Sequence, residues 1–233
     1  MARPSNPLIS RLGATKAALE VIDEVGLSEF SLARVAQKLG VRPPSLYHHF
    51  QDKAELLEEV ARLLLLRLPS IRNRKLPYEE RIVKLCVSTR RSLLKHPNAA
   101  LLMLQFFPRQ LLLEAYDEAA SLDPYPPEFH MAVIEGTEKL TFGSALFAAI
   151  GQAQGLPPMP PVDAGRLPYL ARAIDRNPFD DEGLFAETLR IFFSGVADRH
   201  RRGTLGQPTN DSVTFAFPPE KPLRRSKARP AEG

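Results

Sequence analysis

SLARVAQKLGVRPPSLYHHFQDK, residues 31–53, is the stretch whose reading decides the fold. Behind Ser31, whose hydroxyl can accept from a free N–H of a first helical turn, Leu32, Val35, Ala36 and Leu39 recur at helical spacing. Gly40 ends that helix, because glycine takes the left-handed conformation without a Cβ clash and lets Gly40-Val41 turn the chain sharply. Pro44 suits the first turn of a second helix, where its fixed φ is already helical and its missing N–H would have had no partner. That second helix is predicted to run to Phe50. No acid lies between Phe30 and Gln51, whereas Arg34, Lys38 and Arg42 are basic and Ser45, Tyr47, His48 and His49 offer hydrogen bonds. A helix face cleared of carboxylates can approach a phosphate backbone. Two short helices around a tight turn then read as a helix-turn-helix whose second helix enters a major groove.

Outward from this hairpin, Ser10 can cap a helix predicted over 11–25, with Ala14, Ala18, Val21, Ile22 and Val25 as its apolar row and Gly26 as its stop. This helix supplies the third side of a small core that Leu46 and Phe50, four residues apart, are expected to face. Arg42, Pro43, Ser45, Tyr47, His48 and His49 then point outward. Asp52 and Glu55 have the spacing of a capping box at the start of a helix predicted over 53–69. Its first residue, Lys53, stands beside free N–H groups, a combination that binds phosphate.

The run LARVAQKLGVRPPSLYHHFQDKAEL resembles the N-terminal domain of the tetracycline-repressor (TetR) family of transcriptional regulators, with LGV, SLYHHF and DK in register. The resemblance implies phosphate contacts for Tyr47, His49 and Lys53. It leaves Arg34 on the DNA-facing side, and Arg42, Pro43, Ser45 and His48 as candidates for base edges. Arg42 is the best placed of these for guanine, since a guanidinium pairs bidentately with O6 and N7; a phosphate contact is the alternative. SLLKHPNAALL resembles the family's helix-HP-helix junction, and NPFDDEGLFAETLRIFFSGV its dimerisation helix. The family further implies an inducer pocket between helices, for which His96, Met103, Phe106, Phe107, Tyr116, Phe142 and Phe147 are candidates. The tetracycline-binding branch uses a histidine for a drug-bound magnesium, but gapless alignment puts Met103 at that position. A hard cation prefers oxygen or imidazole, so neither metal nor tetracycline is carried over, and no cofactor is expected.

Composition adds little to the case for DNA. The net charge is +4, but residues 201–233 hold seven Lys/Arg against three acids, which is the whole excess. The electrostatic argument is therefore local to the hairpin. The single cysteine, Cys86, lies in the apolar row Ile82, Leu85, Cys86 and reads as a buried thiol. The N-terminus lacks a basic-then-apolar leader pattern and no apolar run approaches the roughly 18 residues of a membrane span, so a cytoplasmic protein with no membrane partner is expected.

The rest of the chain reads as helices. One is predicted over 78–95, an apolar one over 99–107 and another over 109–120. A DPYPP linker (123–127) precedes a long helix over 129–154, in which Phe129, Val133, Gly136, Leu140, Gly143, Phe147 and Ile150 form a heptad-like seam. Pro157, Pro158, Pro160 and Pro161 make an exposed loop, followed by a short helix over 169–176. The last helix, 180–202, carries acids at its start, bases at its end and the apolar row Phe185, Leu189, Phe192 and Val196. Phe129, Val133 and Leu140 with that row are the expected dimer interface.

The chain is thus expected to be all-α. Its parts are an arm (1–9), a helix-turn-helix domain (10–52), a connecting helix (53–69), a ligand-binding and dimerisation domain (70–203) and a disordered basic tail (204–233). The expected function is that of a homodimeric repressor, released from a palindromic DNA operator by an unknown small-molecule inducer. The alternative is a dimeric regulator that binds a small molecule or protein partner and in which DNA binding is vestigial or partner-controlled. No phosphate-binding Gly loop, Gly-x-Ser-x-Gly elbow or Cys/His metal spacing is present, and no catalytic residue is assigned.

Overall fold

A computed structural model of the chain describes residues 9–65, 75–107 and 109–207. Residues 1–8 of the expected arm, 66–74 (the last four residues of the connecting helix expected over 53–69 and the segment after it), Pro108, and 208–233 of the expected tail lie outside the described residues. Among those described there are helices and no strands.

Each predicted cap forms. α1 (Arg11–Val25) starts where Ser10 Oγ accepts from the Gly13 N–H at 3.0 Å, and α2 (Leu32–Lys38) where Ser31 Oγ accepts from Arg34 at 3.3 Å. Gly40, at φ +66°, makes the turn, which the Val41 N–H closes on the Ala36 carbonyl at 3.0 Å. The second helix of the hairpin differs from expectation: Pro43–His48 is a 3-10 helix, with the Ser45 N–H bonded to the Arg42 carbonyl at 2.9 Å. Two opening prolines remove donors and leave so short a segment few i→i+4 bonds to make, so it closes by i→i+3 bonds instead.

α3 (Lys53–Leu65) and α4 (Tyr78–Leu94) follow, and the helix predicted over 99–107 is broken at Leu101 into α5 (Pro97–Ala100) and α6 (Leu102–Gln105). The one predicted over 109–120 opens as a 3-10 turn, Arg109–Leu112, before α7 (Leu113–Ser121). α8 (Pro127–Gln154), α9 (Pro168–Arg176) and α10 (Asp181–Arg202) match their predicted spans closely, and Asp180 caps α10 by accepting from Gly183 at 2.7 Å.

Two apolar clusters hold these helices. In the first, Ile22, Val35, Leu46, Leu56 and Val60 of the N-terminal helices are continuous with Leu93, Leu102, Met103, Ala145 and Ala149. The second joins Ile82, Val83 and Cys86 of α4 to Phe129 and Val133 of α8 and to Phe185, Leu189, Phe193 and Val196 of α10. This corrects the expected dimer interface. Phe129, Val133, Phe185, Leu189 and Val196 are buried within their own chain, and Leu140 and Phe192 are partly buried against the same cluster. The Phe192 ring comes within 2.6 Å of where a Cβ on Gly136 would stand, so that glycine allows α10 its close approach to α8. Both helices are apolar on a second face as well, and there Phe147 is 81% exposed and Ile191 66%.

Arg90 crosses this core at 2% exposure. Its Nε donates to Ser144 Oγ on α8 at 2.9 Å, its Nη2 pairs with Asp181 at the start of α10, and its guanidinium lies 5.5 Å from the Phe185 ring centre. Removing one partner of a buried ion pair leaves the other charge uncompensated, which costs more than replacing the charge by an apolar side chain of similar length. Asp181 is itself half exposed, so Asp181→Ala should lower stability by about 3 kcal/mol, the low end of the usual range for such a loss. Arg90→Met should cost less than Asp181→Ala in urea denaturation; the reverse order would show that the Arg90 charge is not what the pair compensates.

Candidate nucleic-acid interface

Leu46 (1% exposed) and Phe50 (3%) fix the 3-10 helix to the core, as their spacing predicts. Arg42, Pro43, Tyr47 and His48 consequently stand exposed, while Ser45 and His49 are half-buried. Lys53 opens α3, but its Nζ is folded back: it donates to the Phe30 carbonyl at 2.9 Å and lies 5.2 Å from the Phe30 ring centre.

The acid-free stretch does not produce an acid-free surface. Arg34 pairs with Glu29 at 3.3 Å, and Lys38 with Glu24 at 2.6 Å and Glu20 at 3.2 Å, so carboxylates brought by α1 and by the loop before α2 offset two of the three bases. Arg42 makes no ion pair among the described residues and is left as the free guanidinium of the hairpin.

Arg11, which the sequence reading left unassigned, orients the hairpin. Its Nη1 donates to the His49 carbonyl at 2.5 Å and its Nη2 to Glu55 at 2.8 Å and Glu59 at 3.2 Å. Its guanidinium lies 4.7 Å from the Phe50 ring centre. The end of the recognition segment is thereby tied to the start of α3. The capping box there forms with one change: Asp52 Oδ1 accepts from Glu55 at 2.8 Å, but Glu55 reaches back one residue further, to the Gln51 N–H at 2.6 Å. Nothing in local sequence distinguishes Arg11 from any other surface arginine, because its partners lie 38 to 48 residues away.

A second feature is a cavity of about 110 Å³ among α4, α7 and α8. Tyr116 and Phe142 line it, and five other expected pocket residues do not. His96 is bonded through Nδ1 to Asp23 of α1 at 2.6 Å, Met103 is buried in the first cluster, and Phe106 and Phe107 are partly buried against that cluster. Phe107 still reaches the wall indirectly, edge-on to Phe142 at 4.7 Å, whereas Phe147 faces away from the bundle. Aromatic spacing selected residues that could fill space; which helix faces surround the space was not visible in it.

The residues missed were small hydroxyls and a thiol. Thr89, Thr137 and Thr141 line the cavity, yet each hydroxyl donates to its own helix, to the carbonyls of Leu85 (2.9 Å), Val133 (2.7 Å) and Thr137 (2.6 Å). They present methyl groups to the space, so the wall is apolar. Burial pushes the Cys86 thiol up to about 11, in keeping with an inert thiol. The polar edge is Glu138, which accepts from Arg109 at 2.5 Å and from the Tyr116 hydroxyl. Among the described residues no three His, Cys, Asp or Glu side chains are grouped to hold a metal.

A helix-turn-helix is thus seated on a three-helix core and carried on a larger helical body with an apolar cavity. Residues 14–60 match the family model described as bacterial regulatory proteins, tetR family, so the N-terminal domain is of TetR type. The chain is 37% identical over 57 residues to the class C tetracycline repressor protein of Escherichia coli, an alignment covering 24% of this chain and 26% of that one. The aligned part thus spans about a quarter of that relative's length. Beyond it, solved structures share the fold. The TetR family protein ActR of Streptomyces coelicolor, in complex with (S)-DNPA, superposes with a TM-score of 0.58 at 22% identity, covering 83% of this chain and 98% of that one. BioQ with its natural double-stranded DNA operator gives 0.53 at 23% identity, covering 72% and 96%.

The Glu55 carboxyl is held below its ordinary 4.5, first by the Gln51 N–H and then by Arg11. A lowered folded value means that the stabilisation is fully present above pH 4.5 and is lost as pH falls through the folded value. Glu55→Gln should therefore be less stable than the parent at neutral pH, and the difference should be smaller in acid well below pH 4.5. A gap of equal width at both pH values in chemical denaturation would mean that Glu55 does not act through its charge.

Proposed function

We propose that the protein is a homodimeric transcriptional repressor released from a palindromic operator by a small-molecule inducer. The observation that carries this reading is the recognition hairpin: Leu46 and Phe50 are sunk in the core while Arg42, Pro43, Tyr47 and His48 stand clear of it. In this reading Tyr47, His49 and Lys53 hold phosphates, with Lys53 released from the Phe30 carbonyl to do so. Arg42, Pro43, Ser45 and His48 read base edges, and Arg34 keeps a lesser, phosphate-facing role because Glu29 already offsets it. The protein acts by binding and not by catalysis.

The inducer occupies the cavity beside α4 and is largely apolar, with a polar group at the Glu138–Tyr116 edge. Its effect reaches the DNA-binding helices through α4, beyond whose end His96 and Asn98 grip Asp23 of α1 through its carboxylate (2.6 Å) and carbonyl (3.0 Å). The ligand shifts operator affinity only as far as it prefers one arrangement of α4 to the other. The dimer forms through the outer faces of α8 and α10, where Phe147, Leu184 and Ile191 leave apolar surface exposed. Two hairpins then lie about one helical turn of DNA apart.

Selection from random double-stranded DNA by the purified protein should yield a palindrome; no enriched sequence would favour a partner-binding regulator with vestigial DNA binding. With that site in hand, Lys53→Ala should weaken binding to all sequences alike and flatten the log-log salt dependence by about one. Arg42→Ala should instead relax preference at one base pair in each half-site, a discrimination of about 1–3 kcal/mol. If both substitutions left gel-shift titrations unchanged, the hairpin would not be the DNA-reading element. Ile191→Glu should give monomers in sedimentation velocity together with loss of operator affinity, whereas an unchanged dimer would place the interface elsewhere.

A further inference from the structure

The crevice between α1 and α4 has a chemistry that the reading above does not use. Its space, about 440 Å³, is larger than the apolar cavity, and its floor is Leu19, Leu63 and Leu64. Ser88, Arg91, Ser92 and Lys95 fall at i, i+3, i+4 and i+7 and so form one wall from a single face of α4. Lys16 on α1 stands opposite, and His96 closes the end. All four ionisable side chains that line the crevice are bases.

Two of the four are already engaged with carboxylates outside the lining: Arg91 pairs with Glu182 at 2.5 Å and His96 with Asp23 at 2.6 Å. Lys16 and Lys95 have no hydrogen-bond or ion-pair partner among the described residues, and neither has the Ser88 hydroxyl. The walls are held in place independently of any occupant. Ser92 Oγ donates to the Leu64 carbonyl at 3.1 Å, tying α4 to α3, and the His96–Asp23 contact ties the α4–α5 junction to α1. Two like charges on different helices, a free hydroxyl and an apolar floor in one preformed crevice are complementary to an anion with an apolar body.

We propose that this crevice binds a small organic anion, an alkyl phosphate monoester or a carboxylate, whose charged end is held by Lys16, Lys95 and Ser88 and whose apolar part lies on Leu19, Leu63 and Leu64. Such an occupant bridges α1 to α4, the helix that also lines the apolar cavity. It therefore gives the DNA-binding helices a second chemical input, separate from the inducer. The proposal concerns binding to the free protein and stands whether or not the operator-release reading holds.

The probes are inorganic phosphate and hexyl phosphate, titrated calorimetrically into the full chain at constant ionic strength. Hexyl phosphate should bind saturably and about tenfold or more tighter than inorganic phosphate, as burial of several methylene groups on the floor requires. Lys16→Gln/Lys95→Gln should lose at least about tenfold in that affinity. Ser88→Asp, which adds a carboxylate to the wall, should lose as much, and serves where the double variant is unstable. Binding that is undiminished in both variants would place the probe elsewhere, the apolar cavity included, and would overturn the proposal. So would an unsaturable rise in thermal stability shared by parent and variants, since phosphate salts stabilise folded proteins generally. The same lysines could instead hold DNA phosphates. In that case the double variant would flatten the salt dependence of DNA binding by about two, whereas an unchanged slope is expected here.

Discussion

The buried guanidinium of Arg90 sets a condition that the C-terminal half has to satisfy. A charge at 2% exposure is tolerable only with partners on every side, and these come from two other helices, Ser144 on α8 and Asp181 at the head of α10. α4 can take its central position only when both are seated. The apolar residues around it, from Ile82 and Cys86 to Phe185 and Leu189, supply the greater part of the burial energy, but they specify no register by themselves. The directional bonds of Arg90 do. α4 then presents one face to the cavity and another to α1, so that the same helix touches the apolar space, the crevice and the helix-turn-helix half.

At the N-terminal end an arginine plays the corresponding part from the surface. Arg11 joins the His49 carbonyl, Glu55, Glu59 and the Phe50 ring, and so sets the angle at which the recognition segment leaves the core. A 3-10 helix of six residues has little rigidity of its own. Its orientation is imposed from both sides, by Leu46 and Phe50 beneath and by Arg11 at its end. The electrostatics of the hairpin are also more local than its composition suggests, because Lys38 and Arg34 are offset by Glu20, Glu24 and Glu29. Arg42 gains importance by that subtraction.

The contact between the two halves is polar on one side and apolar on the other. Ala99, Ala100, Leu102 and Met103 continue the N-terminal core, while His96 and Asn98 clasp Asp23. An apolar seam resists separation but permits sliding, and a bonded carboxylate limits the slide. Under the proposed function this combination suits a joint that reports on the position of α4 without coming apart.

Much was legible along the chain because its causes are local. Ser10, Ser31 and Asp180 cap the helices they precede, Gly40, Gly155 and Gly203 end helices at positive φ, and Leu46 with Phe50 points inward by simple periodicity. The helix-turn-helix follows from such features, and so does the all-α class. What periodicity could not rank was two apolar stripes on one helix. α10 carries Phe185, Leu189, Phe193 and Val196 on one face and Leu184 and Ile191 on another, and the sequence alone makes either a candidate for the outside. Only the tertiary structure chose. The Arg90–Asp181 pair and the gap left by Gly136 fix the rotation of α10 against α4 and α8, and that rotation decides which phenylalanines are core and which apolar residues remain exposed. The lining of the cavity, the offsetting of Lys38 and the role of Arg11 share the same cause: each depends on side chains distant in sequence, whose meeting is a property of the packed helices and of no single stretch.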